Sequence, residues 1–220
     1  FYSVIKKHFH THIPLNNVAE YARSIFKIGL APFGLALTPN ISLVIINRFS
    51  AIYGGDEAIA TYACISYIIC IIYLILQGVG DGSQPLMSKY YGEKNTKSLK
   101  NINKLAYCFA IFLAFLGCWV MLILKNNIGV LFGSSAEVNN NISKIIPIFL
   151  VSVPFVAIIR IATASFYATE QSLLSYILTF TEPILMLILM LILPLYGGQV
   201  MVWWSTVFAR IISAVLALIL

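Results

Sequence analysis

Six polar or charged side chains fall inside stretches that are otherwise apolar: Asn40, Asn47, Asp81, Gln84, Arg160 and Glu182. An ionisable group deep in hydrocarbon costs at least ~2.5 kcal/mol, so such a side chain should face protein or water, and it marks a candidate site for a substrate or ion. Glu182 is the deepest of the acids, near the middle of the apolar run from Leu173 to Leu195. Two chemistries suit a carboxyl there: loading and releasing a proton, or pairing with a cationic substrate. The alternative is a structural ion pair with Arg160, which lies on the preceding apolar stretch. Asp81 sits closer to the end of its stretch and reads as a helix-end or gating residue, with Gly78, Gly80 and Gly82 beside it allowing close backbone approach.

Other patterns that carry chemistry are absent or bland. There is no Ser-His-Asp or paired-carboxylate arrangement, and Gly78–Gly82 lacks the following Lys-Ser/Thr and the preceding strand of a nucleotide loop. His8, His10 and His12 alternate as H-x-H-x-H, which suits a flexible basic linker at a membrane surface better than a metal site. Cys64, Cys70, Cys108 and Cys118 all lie in apolar runs, with neither knuckle nor redox spacing. No enzyme activity, metal or cofactor is expected, and no nucleic-acid partner. The net charge of +6 resides mostly in connections between the apolar stretches, where membrane orientation accounts for it.

The elements that must position these residues are set by composition. Hydrophobic residues make up 60% of the 220, charged residues 10%, and the mean hydropathy is +0.91. A soluble domain carries roughly a quarter of its residues as charges. The lipid bilayer is the solvent that accommodates this chain, and a spanning helix needs about 20 mainly apolar residues. Six stretches qualify, at about 25–49, 59–84, 105–124, 145–168, 173–195 and 200–220. They are continuously apolar, not alternating, which argues for helices over a β-barrel. An all-α integral membrane protein is expected. Ser134-Ser-Ala-Glu137 is a capping-box pattern that would start a short interfacial helix before the fourth span, and Trp203 and Trp204 suit an interfacial belt.

Lys89, Lys94, Lys97, Lys100 and Lys104 crowd the connection between the second and third spans, and Lys6, Lys7, Arg23 and Lys27 the entry to the first. Only Arg48, Lys125 and Lys144 lie on the opposite side, so nine basic residues face three. By the positive-inside rule the lysine-rich side is cytoplasmic, and an even number of spans places both ends of the segment there. The chain starts at Phe1 and finishes inside an apolar run, which suggests a fragment or one half of a longer protein. Several spans are interrupted by proline: Pro32 and Pro39, Pro147 and Pro154, and Pro183. Membrane helices accept such breaks only where neighbours or a wet cavity satisfy the freed backbone, a common feature of transporter sites.

Three passages, in this order, resemble the multidrug and toxic compound extrusion (MATE) family of exporters. They are Tyr53-Gly-Gly-Asp-Glu-Ala-Ile-Ala-Thr-Tyr62, then Gly78-Val-Gly-Asp-Gly-Ser-Gln-Pro-Leu-Met-Ser-Lys-Tyr-Tyr-Gly-Glu-Lys-Asn95, and then Leu131-Phe-Gly-Ser-Ser-Ala-Glu-Val138 with Arg160–Thr169 beyond it. Their order matches the second six-helix half of the family. The resemblance implies a twelve-helix protein of two lobes around a cavity that opens alternately to either side. Residues 1–24 would be the cytoplasmic inter-lobe linker and 25–220 one lobe, with the first lobe as its missing partner. It also implies export of amphipathic organic cations in exchange for H⁺ or Na⁺ across the plasma membrane. Asn47 matches a recurring asparagine of the first span, and Gln84-Pro85 the family Gln-Pro. The sequence departs from family members that hold Na⁺ in this lobe, because its first and fourth spans carry no acid. Glu93 replaces a small residue, and Glu182-Pro183 stands where a basic residue is common. The coupling acid is then Glu182, or lies in the other lobe. Two alternatives stand beside export: a flippase for lipid-linked sugars, which needs a strongly basic cavity that only Arg160 and Arg210 could begin to supply, and a non-transporting half-length membrane protein.

Overall fold

The computed structural model describes residues 15–220, apart from the side chains of 15–17, 27, 28, 30–32, 35 and 36. The H-x-H-x-H run, most of the expected linker and the side chains of Lys27 and Pro32 lie outside the described residues. All regular elements among the described residues are helices: α1 Leu15–Gly92, α2 Thr96–Leu124, α3 Ile128–Leu131, α4 Ala136–Ala168, α5 Ser172–Ile192 and α6 Pro194–Ile219. Residues 15–24, expected as linker, are already part of α1.

Five of these helices are long and apolar enough to cross a membrane. The first and second expected spans run together as α1, whose 78 residues greatly exceed one crossing of an apolar core ~30 Å thick. The chain breaks at Gly55, where φ is 63° and ψ −161°, a conformation open to glycine and strongly disfavoured for residues with a Cβ. Gly55 therefore divides α1 into a first arm and a second arm. A similar break near the start of α6 falls at Gly197 and Gly198. The two breaks lie side by side: Gln199 donates to Ser50 Oγ at 3.3 Å, and its side chain abuts Gly54.

The expected interfacial helix is replaced by a continuous α4. Its N-cap is Ser135, whose Oγ accepts from the Val138 N–H at 3.3 Å. Ser134 instead donates its hydroxyl to the Gly129 carbonyl at 2.9 Å, tying the start of α4 to the four-residue α3 that precedes it. Asn139 holds α3 in place, accepting from Gly129 N–H and donating to Asn126 O, both at 2.9 Å.

One helix, α2, sorts its side chains in the reverse of a soluble protein's. On α2 the large rings of Phe112, Phe115 and Trp119 are exposed, while Ala106, Ala110 and Ala114 are buried at a spacing of four. Small residues let backbones approach closely, and the bulky apolar groups are left for lipid. Lobe packing centres on α4, which contacts every other helix. At the crossing of α4 with the second arm of α1, a Cβ on Gly80 would lie 3.3 Å from the Arg160 carbonyl. Of the three neighbouring glycines only Gly80 makes such an approach; Gly78 and Gly82 face open space.

Two prolines explain two inter-helix hydrogen bonds. Proline has no N–H for the carbonyl four residues back. Pro183 thereby frees the Thr179 carbonyl, and Thr38 of the first arm donates its hydroxyl there at 3.4 Å while also donating to Gly34 O at 2.7 Å. Pro154 frees the Leu150 carbonyl, and the Cys118 thiol of α2 donates to it at 3.5 Å. Ser175 adds a third link, from α5 to the Thr163 carbonyl of α4 at 3.3 Å. In lipid such groups find no water, so neighbouring helices must satisfy them.

Candidate functional site

The polar centre of the lobe is built from the middles of four helices. Glu182 lies ten residues from either end of Ser172–Ile192. Ser152 is the midpoint of Ala136–Ala168. Tyr73 lies near the middle of the second arm, between Gly55 and Gly92, and Arg210 between Gly198 and Ile219. Equal depth on packed helices brings these side chains together.

Arg210 organises the cluster. Its Nε donates to Glu182 Oε1 at 3.0 Å, and its Nη1 to Ser152 Oγ at 3.1 Å. Its guanidinium carbon lies 5.2 Å from the centroid of the Tyr73 ring, within cation–π range. The Ser152 hydroxyl donates to the Phe149 carbonyl at 2.6 Å, which leaves its oxygen to accept; the Tyr73 hydroxyl is 3.4 Å away and is the donor in that contact. The Arg210 side chain is 9% exposed and that of Glu182 18%, so the carboxylate is the more accessible member. Next to the pair Tyr62, Phe149 and Trp203 form a buried aromatic cluster with centroids 5.6–5.7 Å apart. Trp203 is 1% exposed and so belongs to this core, not to an interfacial belt.

The partner of Glu182 is thus Arg210 and not Arg160. Arg160 is half-buried on α4, and among the described residues it makes no ion pair. Asp81, expected as a helix-end or gating residue, is exposed on α1 eleven residues before that helix ends at Gly92, and accepts from Gln77 Nε2 at 2.7 Å, one helical turn away. Gln84 is half-buried and Asn40 exposed. Asn47 is half-buried, and its buried Oδ1 has no hydrogen-bond partner among the described residues. Among the six expected residues, Glu182 alone belongs to the mid-membrane cluster; Arg210, Ser152 and Tyr73 are its added members. Arg210 was legible as a charge in an apolar span, at the depth of Glu182 on the next helix. Ser152 and Tyr73 carry no such signal.

Among the described residues no three His, Cys, Asp or Glu side chains gather as a metal site, and the four cysteines are free. The cluster holds one acid, one base and two hydroxyls. Such a set can carry a charge, exchange a proton and accept or donate hydrogen bonds.

Comparison with known proteins completes the picture. The sequence model of the MatE family matches residues 33–192. A multidrug export protein, MepA of Staphylococcus haemolyticus, is 24% identical over 196 residues, covering 89% of this chain and 43% of its own length. The fold matches that of an outward-facing multidrug resistance MATE family transporter of the MOP superfamily with a TM-score of 0.85 at 18% identity, over 98% of this chain and 50% of that one. An inward-facing MATE family transporter matches with a TM-score of 0.79 at 17% identity, over 91% and 47%. The chain spans about half the length of the proteins it matches. On the extent of the family match and the shared helical fold, the chain belongs to the MATE family of membrane transporters, and is not an enzyme.

Proposed function

We propose that this lobe is half of a cation-coupled antiporter, driven by H⁺ or Na⁺, that exports amphipathic organic cations from the cell. The observation that carries the reading is the Glu182–Arg210 pair, held at the middle of four apolar helices where charge is costly unless it is used or compensated. The two arms of α1 serve as separate spans on either side of Gly55, giving six crossings. The lysine-rich connection between the second arm and α2 then lies in the cytoplasm together with both ends of the segment, and the membrane is the plasma membrane. A second lobe of six helices completes a twelve-helix transporter, which accords with the half-length coverage of its relatives. The same lobe fold recurs in outward-facing and inward-facing proteins, as expected if lobes rock as bodies about a central cavity. Asn40, Asn47, Asp81, Gln84 and Arg160 are proposed to line the path on either side of the central pair.

Lipid-linked sugar flipping is the weaker reading, because a pyrophosphate needs several free cations and Arg210 is compensated by Glu182. The direct test is efflux of a fluorescent cationic dye from cells expressing the full transporter that carries this lobe, under separately imposed H⁺ and Na⁺ gradients. Dye loss that follows one gradient is the expected result. Retention of dye under both, with the protein confirmed in the membrane, would refute export.

A further inference from the structure

The seam between α2 and the second arm of α1 opens into an apolar cleft towards the lysine-rich end of the lobe. We propose that this cleft binds an anionic phospholipid, with one acyl chain in the cleft and the headgroup at Lys89. The inference goes beyond the exporter reading and depends on neither its substrate nor its coupling ion.

The cleft exists because its floor lacks side chains. Further from the turn the two helices touch, and a Cβ on Gly117 would lie 3.1 Å from Ile72. Nearer the turn, a Cβ on Gly78 or Gly82 would meet nothing within 4 Å, and the small Ala106 of α2 lines the same gap. A space of about 580 Å³ remains, the size of a site for a drug-sized molecule. Its rims are apolar and exposed: Ile75 and Leu86 on α1, Leu105 and Phe109 on α2. Ser83 carries the one polar side chain among the described lining residues, and its hydroxyl already donates to the Gly80 carbonyl at 2.9 Å. The lining offers no free donor to a polar ligand, so hydrocarbon is the filling it favours.

Length and position point to lipid. Ile75 to Leu86 is eleven residue steps, ~16 Å of helix and about half of a ~30 Å apolar core. The cleft thus matches the depth of one leaflet. At ~100° per residue, Gln77, Asp81 and Gln84 fall on the side of α1 opposite Ile75, Val79 and Leu86. The cleft therefore faces away from the polar residues proposed to line the transport path. Phe112 and Leu116 continue the α2 rim as exposed apolar side chains, where a packed helix interface would favour small ones.

Charge selects the headgroup. Lys89 follows Leu86 by about one turn on the same face of α1, and its side chain is 63% exposed. Its pair with Glu93 is long, at 3.9 Å, and solvated, so a lipid phosphate can replace it. Lys94, Lys97, Lys100 and Lys104 share that end of the lobe, and Glu93 is the single acid between residues 85 and 105. Such a cluster at a membrane surface attracts anionic headgroups.

The test is native mass spectrometry of the purified full transporter carrying this lobe, delipidated and then incubated with dioleoylphosphatidylglycerol or dioleoylphosphatidylcholine. Wild type should retain phosphatidylglycerol more firmly than phosphatidylcholine. Gly82→Leu extends a side chain into the gap, and its Cβ meets no neighbour. It should weaken the tightest-bound phosphatidylglycerol at least about tenfold, as lost contact with two methylenes would give. Gly78→Leu fills the same floor and stands in if Gly82→Leu does not fold. Lys89→Gln should weaken phosphatidylglycerol about fivefold, the worth of one lysine at an anionic surface, and leave phosphatidylcholine unchanged. Equal retention of the two lipids by wild type, or phosphatidylglycerol binding untouched by the glycine variants, would overturn the proposal. With lipid binding untouched, weaker tetraphenylphosphonium binding by Gly82→Leu would assign the cleft to an organic cation, and a lower melting temperature would assign it to packing against the other lobe. Each of these results leaves the exporter reading standing, since dye efflux tests that reading separately.

Discussion

The Glu182–Arg210 pair is costly to half-remove. Truncating one member of a buried ion pair leaves the other uncompensated, at a cost of ~3–5 kcal/mol, whereas replacing both with apolar groups is often neutral. Arg210→Met should therefore lower the thermal stability of the detergent-solubilised protein by about 3 kcal/mol or more, and adding Glu182→Met should restore most of it. A double variant no more stable than Arg210→Met would mean that the pair contributes nothing. Trp203, buried between Tyr62 and Phe149, is the other sensitive side chain. Trp203→Ala should cost ~3–5 kcal/mol in the same measurement, against near silence expected for an interfacial tryptophan. At this scale the sequence revealed Glu182, because an acid in an apolar run has no ordinary explanation, but not its partner. Choosing by nearness along the chain favours Arg160, which is 22 residues away, over Arg210, which is 28 away. Depth hardly separates them, since Arg160 lies eight residues from the end of α4 and Arg210 nine from the end of α6; the direction in which each side chain leaves its helix decides the partner, and spacing along the chain does not show it.

Helices in lipid must satisfy every backbone group, and the prolines show how this lobe does so. Thr38 covers the carbonyl that Pro183 frees, and Cys118 the one that Pro154 frees. Thr38→Val should cost about 1 kcal/mol, the net worth of a typical hydrogen bond. In a Pro183→Ala background the restored backbone N–H at 183 takes that carbonyl, so the cost of Thr38→Val should shrink. Equal costs in both backgrounds, read from melting temperatures, would show that the two residues are not coupled. The sequence displayed the prolines and the approximate helix limits, since composition and length decide both. The partners of the freed carbonyls were not legible, because they come from helices remote in sequence. The fusion of two stretches into α1 escaped notice for a local reason: Tyr53-Gly-Gly-Asp-Glu57 reads as a polar connection, yet the backbone stays helical up to a single break at Gly55.

At the scale of the molecule, class and architecture were the most legible features, because a chain with 60% hydrophobic residues and 10% charged ones has a bilayer as its natural solvent. The exposed rings of α2 and the buried alanines beneath them are the structural expression of that composition. The proposed orientation rests on the lysines around the start of α2. A single cysteine at position 97, in a protein otherwise free of cysteine, should resist a membrane-impermeant thiol reagent in intact cells and react after permeabilisation. Ready labelling from outside would invert the topology. The proposed transport requires the lobe to present its two ends in turn. Asn47 precedes the break at Gly55 by eight residues, and Gln84 precedes the end of α1 by eight, so they sit towards opposite ends of the lobe. The most direct measurement of the central claim is the thiol reactivity of single cysteines at positions 47 and 84 in the full transporter, with and without a saturating organic cation. Alternating access predicts that the cation changes the two reactivities in opposite directions. Reactivities that both stay fixed, or that rise and fall together, would contradict it.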